Sequence, residues 1–112
     1  MYRIEATIRP DKFEDVQRAL QTIGVIAMTV DEVIGCGHQA GHVEHYRGLE
    51  TVIHLLPKVR ITTVVHEIPV EDVVKAISEA AYTGEHGDGK IFVMPLIDAV
   101  RIRTGERGGV AI

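Results

Sequence analysis

The segment TGEHGDGKIFV, Thr83 to Val93, carries Gly84, four residues, then Gly89-Lys90, the G-x-x-x-x-G-K skeleton of a phosphate-binding P-loop. Ile91 stands where that motif needs a Ser or Thr hydroxyl for magnesium. The order of elements is also reversed: a helical pattern, Pro69 to Tyr82, precedes the glycines and a strand pattern follows from Ile91. A phosphate would therefore not sit on a helix N-terminus, and the motif is not a P-loop. Gly87 and Gly89 nevertheless allow backbone N–H groups to converge into an anion-binding nest, with Lys90 adding a point charge. The plain alternative is a structural turn. A second cationic string, RIRTGER from Arg101 to Arg107, favours the anion reading. On an extended chain Arg101 and Arg103 face the same way, and guanidinium forks match phosphate oxygens at about 1.5–3 kcal/mol per charged hydrogen bond. In isolation, such a pair would read as solvated arginines on a surface strand.

These groups sit on a chain of 112 residues with a formal charge of −4, enough for one domain with a modest core. The acidic balance argues against nucleic acid or an anionic membrane as a partner, so an anion site must be a local cluster of donors. No apolar run approaches the length of a membrane span, and no signal peptide is visible after Met1. The single Cys36 cannot form an internal disulfide, which makes a reducing cytoplasm the expected location.

The elements that must position the glycines and cations show an internal repeat. RIEATIRPDKFEDVQRAL from Arg3 and RITTVVHEIPVEDVVKAI from Arg60 match at a constant offset, with Arg3, Ile4, Glu14, Asp15, Val16 and Ala19 recurring as Arg60, Ile61, Glu71, Asp72, Val73 and Ala76. Each copy reads as a strand then a helix. Ile4, Ala6 and Ile8 alternate with polar residues at the period of a sheet with one buried face. A helix is expected from near Asp11, capped by its carboxylate, with the apolar stripe Phe13, Val16, Leu20 and Ile23. The second helix is expected from Pro69, with Val70, Val73, Ile77 and Ala81 inward. Further strands are expected over Val25 to Val33 and Ile91 to Leu96, and a short extended piece over Ala99 to Arg103. The result is an α+β, ferredoxin-like β-α-β-β-α-β sheet with both helices on one face. Its bare side would carry Ile26, Met28, Val64, Phe92 and Met94, which is too apolar to leave wet and predicts self-association. Between the halves, Gly37 to Pro57 has no clear period, as expected for a long binding arm.

With these strings in place, the chain resembles the PII nitrogen-regulatory signal-transduction family. T-G-E-H-G-D-G-K-I-F-V-x-P and R-I-R-T-G-E-R look like that family's nucleotide-binding B- and C-loops. The likeness extends in order through I-x-A-x-I-R-P from Ile4, M-T-V-x-E-V-x-G-x-G from Met28, G-H-V-E-H-Y-R-G from Gly41 and L-P-K-V from Leu56. It implies a single domain over residues 1–112, with a T-loop over about 37–57, a B-loop over 82–90 and a C-loop over 101–107, assembled as a homotrimer.

The resemblance further implies ATP or ADP in clefts between subunits, and 2-oxoglutarate bound beside Mg2+-ATP. Nucleotide contacts would fall on Thr29, His38, Val64, Gly87, Asp88, Gly89, Lys90, Arg101, Ile102 and Arg103. The effector would lie against Gly37, Gln39, Ala40, Gly41, Lys58 and Gly87, with Gln39 ligating magnesium through its amide oxygen and Lys58 pairing with a carboxylate. No residue is assigned a catalytic role. The implied role is a sensor-regulator rather than an enzyme, whose arm docks on an ammonium transporter, glutamine synthetase, a nitrogenase-related regulator or an arginine-pathway kinase. Tyr46 and Arg47 are the target-contacting residues, and a transporter, which could recruit the protein to the membrane, is the leading expectation.

The sequence departs from the family at several points. His38 replaces the usual Arg and Ala40 a frequent Lys, and Thr51 stands where many relatives carry a modifiable Tyr, so nucleotidylylation there is not expected. Leu49 removes a Ser that some relatives phosphorylate. Two other readings compete: slow ATP hydrolysis in the same cleft, and a metal-binding trimer resembling the divalent-cation tolerance proteins, invited by His38, His42 and His45. The second leaves Lys90, Arg101 and Arg103 without a role.

Overall fold

A computed structural model describes residues 1–37, 44–46, 49–51 and 54–112, with side chains described outside 37–54. Strand β1 (Tyr2–Ile8) leads through a 3-10 turn (Pro10–Lys12) into helix α1 (Phe13–Thr22). Then follow β2 (Thr29–Gly37), the short strands β3 (Glu44–Tyr46) and β4 (Leu49–Thr51), and the long β5 (His54–Val65). Helix α2 (Val70–Ala81), β6 (Gly89–Pro95) and a terminal 3-10 turn (Gly108–Ala111) complete the order. The main sheet is ordered β2-β5-β1-β6 with every neighbouring pair antiparallel. With α1 packed against α2, this is the α+β split βαβ topology read from the repeat.

The alternation of β1 sets the layers. Ile4, Ala6 and Ile8 are buried, as are Ile61 and Val59 opposite Ala6 and Ile8, Val65 further along β5, and the helix residues Val16, Leu20, Val73, Ile77 and Ala81. Among the described residues Thr63 is the buried polar residue of that face, and its hydroxyl donates to Ala27 O at 2.9 Å, which ties the approach to β2 onto β5.

Several boundaries differ from the sequence reading. Helix α1 starts at Phe13, and the Asp11 carboxylate makes no capping bond because Pro10–Lys12 has already tightened into a 3-10 turn. Pro69 is the N-cap of α2 and not its first residue. Strand β2 begins at Thr29 and not Val25. Gly24, at φ +93°, donates to Gln21 O and Val25 donates to Leu20 O, a Schellman closure that commits the Val25 amide to the helix end. Met28 consequently packs against the helix-side core, which corrects its placement on the bare face. β6 starts at Gly89, paired with Ile8, so Gly89 and Lys90 are strand residues rather than loop.

The arm is also more regular than its sequence suggests. Gly37 pairs with His54, Cys36 with Leu55, Gly35 with Leu56 and Ile34 with Pro57, so a two-stranded ribbon carries β5 beyond the end of β1. Pro57 fits there because its missing N–H falls where β5 has no β1 neighbour. Glu44–Tyr46 and Leu49–Thr51 form a separate antiparallel pair. Finally, Ala99 to Arg103 is not an extended piece: Arg101 N donates to Glu106 O at 2.9 Å and Gly105 N to Arg101 O at 2.7 Å, folding the chain back on an isolated bridge between Val100 and Arg107.

Candidate functional site

The loop from Thr83 to Asp88 is organised by one carboxylate. Asp88 accepts from Thr83 N at 2.8 Å, from Gly84 N at 2.9 Å, from the Thr83 hydroxyl, and from Arg9 Nε at 3.0 Å. The Thr83 hydroxyl and amide, with Arg9 and the Gly84 amide, hold the Asp88 carboxyl well below the usual carboxylate range against the opposing effect of desolvation. Arg9 then reaches across to His86 O at 2.7 Å, so one guanidinium bridges the loop's carboxylate and its backbone. Gly84, Gly87 and Gly89 have φ of +87°, +99° and +105°. At Gly89 the requirement is absolute in steric terms, since a Cβ would stand 1.7 Å from Thr7 O.

Lys58 enters from β5. Its stem lies across Gly35 of β2, where a Cβ would be 3.3 Å from Lys58 Cγ, and its ammonium donates to Gly87 O. Burial, then the charge of Arg9, lower the Lys58 pKa, with Asp88 acting in the opposite sense. Lys58 Nζ and Arg9 Nη2 both lie within 3.4 Å of the point where a Gly87 side chain would start. Two cations thus converge on one glycine.

Of the residues expected at the site, Gly87, Asp88, Gly89, Lys90 and Lys58 share one end of the sheet. Lys90 faces Thr7 of β1 on the side away from the helices and is exposed. Thr29 and Val64 are on that same side: Thr29 pairs with Thr62, and Val64 is the next residue of β5 to face that way. Arg101, Ile102 and Arg103 are apart from this cluster. Arg101 is engaged by Glu106 at 3.2 Å, while Arg103 and the fully exposed Ile102 stand on the turn. Among the described residues, no hydrogen bond or ion pair joins 101–107 to 83–90. The expectation that Arg101 and Arg103 face alike on an extended chain is corrected by that turn.

Gly37 is the last residue of β2, and Tyr46 lies in β3. His38, Gln39, Ala40, Gly41 and Arg47 lie outside the described residues. Among the described residues no three His, Cys, Asp or Glu groups gather to hold a metal. The sequence reading missed Arg9 and Thr83. The signal for Arg9 was present, because it continues the outward register Arg3, Glu5, Thr7 toward the strand that carries Lys58. Thr83 gave no signal apart from preceding Gly84.

The family model described as "Nitrogen regulatory protein P-II" matches residues 1–106. Curated relatives of that name include one from Azospirillum brasilense, 52% identical with both chains fully covered. Another, "Nitrogen regulatory protein P-II 1" from Methanothermobacter thermautotrophicus, is 53% identical over this whole chain and 97% of the relative. Among solved structures, B. subtilis GlnK superposes with a TM-score of 0.84 at 38% identity, covering 99% of this chain and 97% of that one. The B. subtilis GlnK-ATP complex also gives a TM-score of 0.84, at 34% identity and with 99% and 94% covered. With the topology, the glycine turn and the match agreeing along the whole length, the chain belongs to the nitrogen regulatory protein P-II family.

Proposed function

We propose that this protein is a homotrimeric nitrogen-signalling switch that binds ATP or ADP in pockets shared between subunits. It binds 2-oxoglutarate with Mg2+-ATP and acts on a protein target through its arm. The observation that carries the reading is the separation inside one chain. The Gly87–Lys90 cradle is held in shape by Asp88 and Arg9, whereas Arg101 and Arg103 sit on a turn with no bond to it. A second copy supplies the arginines to the cradle. Two further features support self-association: Phe92, Ile97 and Ile102 are exposed apolar side chains, and Phe92, Met94 and Val64 face away from the helices.

Fit to the ligands follows from donor chemistry. Glycine amides, Lys90 and guanidinium forks suit a polyphosphate, and the B. subtilis GlnK-ATP complex pairs a related fold with that nucleotide. The Lys58–Arg9 pair at Gly87 suits a carboxylate of 2-oxoglutarate, and the Gln39 amide oxygen is a hard-cation donor for magnesium. Asp88 has its oxygens occupied by Thr83, Gly84 and Arg9, which makes it a structural acceptor rather than a base and favours regulation over turnover. Ligand state then selects the arm conformation by differential affinity, and the arm engages an ammonium transporter or a nitrogen-assimilation enzyme.

Subunit mixing tests the shared pocket. K90Q and R103Q should each bind ATP weakly, and trimers reassembled from both should regain native-affinity sites where an intact cradle meets an intact arginine. Failure of mixed trimers to regain any such site, with both variants folded, would place the two side chains in one subunit's pocket.

A further inference from the structure

Lys58 has a chemistry that effector binding does not use. Its ammonium is partly removed from water and shares Gly87 with a guanidinium, while its long stem is held flat over Gly35. The groups that set its charge are Arg9 and Asp88: burial and Arg9 favour the neutral amine, and Asp88 opposes them. A lysine in such surroundings offers a free amine at lower pH than its solvated counterparts. The other lysines are Lys12, Lys75 and Lys90, so the chain carries its own comparison set.

We propose that Lys58 is a carbon dioxide acceptor, forming a reversible carbamate whose new carboxylate is held by the Arg9 guanidinium. The neutral Nζ attacks the carbon of CO2, an N–C bond forms, and one C=O electron pair moves onto oxygen. A proton leaves nitrogen for solvent, so that R–NH2 + CO2 gives R–NH–COO− + H+ with no change of oxidation state. The carbamate nitrogen keeps one N–H, enough to maintain the bond to Gly87 O, while the added carboxylate lies on the side where Arg9 approaches. Modification thus converts a cation into an anion at the position proposed to bind a carboxylate effector. This consequence, but not the modification, rests on the function proposed above. High CO2 therefore weakens effector binding by occupying Arg9 and repelling a second carboxylate.

The experiment equilibrates the ligand-free protein with 13C-bicarbonate and CO2, traps carbamates by O-ethylation, and maps the peptides by mass spectrometry. Lys58 is expected to carry the trapped adduct in severalfold excess over Lys12, Lys75 and Lys90. R9Q should lose that excess, and K58R should lose the adduct at this position. An adduct spread evenly over the four lysines, or confined to the Met1 amine, would overturn the proposal; the wild-type peptide map decides this even if R9Q misfolds. A parallel titration of 2-oxoglutarate at low and high CO2 separates the two ideas. Trapping at Lys58 without effector binding would sink the effector reading alone, and effector binding without trapping would sink the carbamate alone.

Discussion

Asp88 and Gly89 do opposite kinds of work at neighbouring positions. Asp88 satisfies the loop's donors, whereas Gly89 permits the chain to cross against Thr7. Gly89→Ala would force a Cβ into a backbone carbonyl at a φ of +105°, and we expect it to cost about 2–4 kcal/mol, read as a lowered midpoint in urea. An unchanged midpoint would mean that the turn has another conformation. The Asp88 effect has a definite sign with pH. Its folded pKa is depressed from 3.8, so its contribution to stability is complete above that value and is lost as pH falls below it. Asp98, held down chiefly by Arg107, titrates in the same direction. D88N should therefore be less stable at neutral pH yet lose less on acidification than wild type below pH 3.8. Parallel acid-unfolding curves for the two proteins would contradict this role.

Among the elements, the helices and β1 were legible because burial imposed a period on them. Val16, Leu20, Val73 and Ile77 are all at most 1% exposed, as their helical spacing requires. Ile77→Ala removes the side chain of the largest of these in α2, and we expect about 2–5 kcal/mol of destabilisation by chemical unfolding. A cost well under 1 kcal/mol would mean that α2 is not docked on β1 as described. The ribbon formed by β2 and β5 was not legible. Gly35, Gly37 and Pro57 carry turn signals, and outside the sheet no buried face imposes alternation, so pairing there rests on backbone hydrogen bonds that leave no mark on side-chain type. The turn after Val100 was missed for a similar reason: its bonds run between backbone groups of Arg101, Gly105 and Glu106. Within the candidate site, glycines and lysines could be read from residue type. The Arg9–Asp88 clamp joins positions 79 residues apart and could only be seen once the sheet had brought them together.

Taken as one molecule, the chain is lopsided. Helices cover one side of the sheet, while the other presents Phe92, Met94, Val64 and Thr29 beside charged pairs such as Arg3–Glu5 at 3.1 Å and Arg60–Asp31 at 3.4 Å. A face of that kind suits association with further copies, apolar contact giving affinity and charge giving register. On the proposed trimeric arrangement, Phe92→Glu should leave helix content unchanged but abolish both self-association and nucleotide binding. Light scattering of the variant checks this, and a variant that remains trimeric would exclude Phe92 from the contact. The most direct measurement of the central claim is calorimetric titration of 2-oxoglutarate into the protein with and without Mg2+-ATP. Saturable binding is expected only when both nucleotide and magnesium are present. Equal binding without them, or none with them, would contradict it.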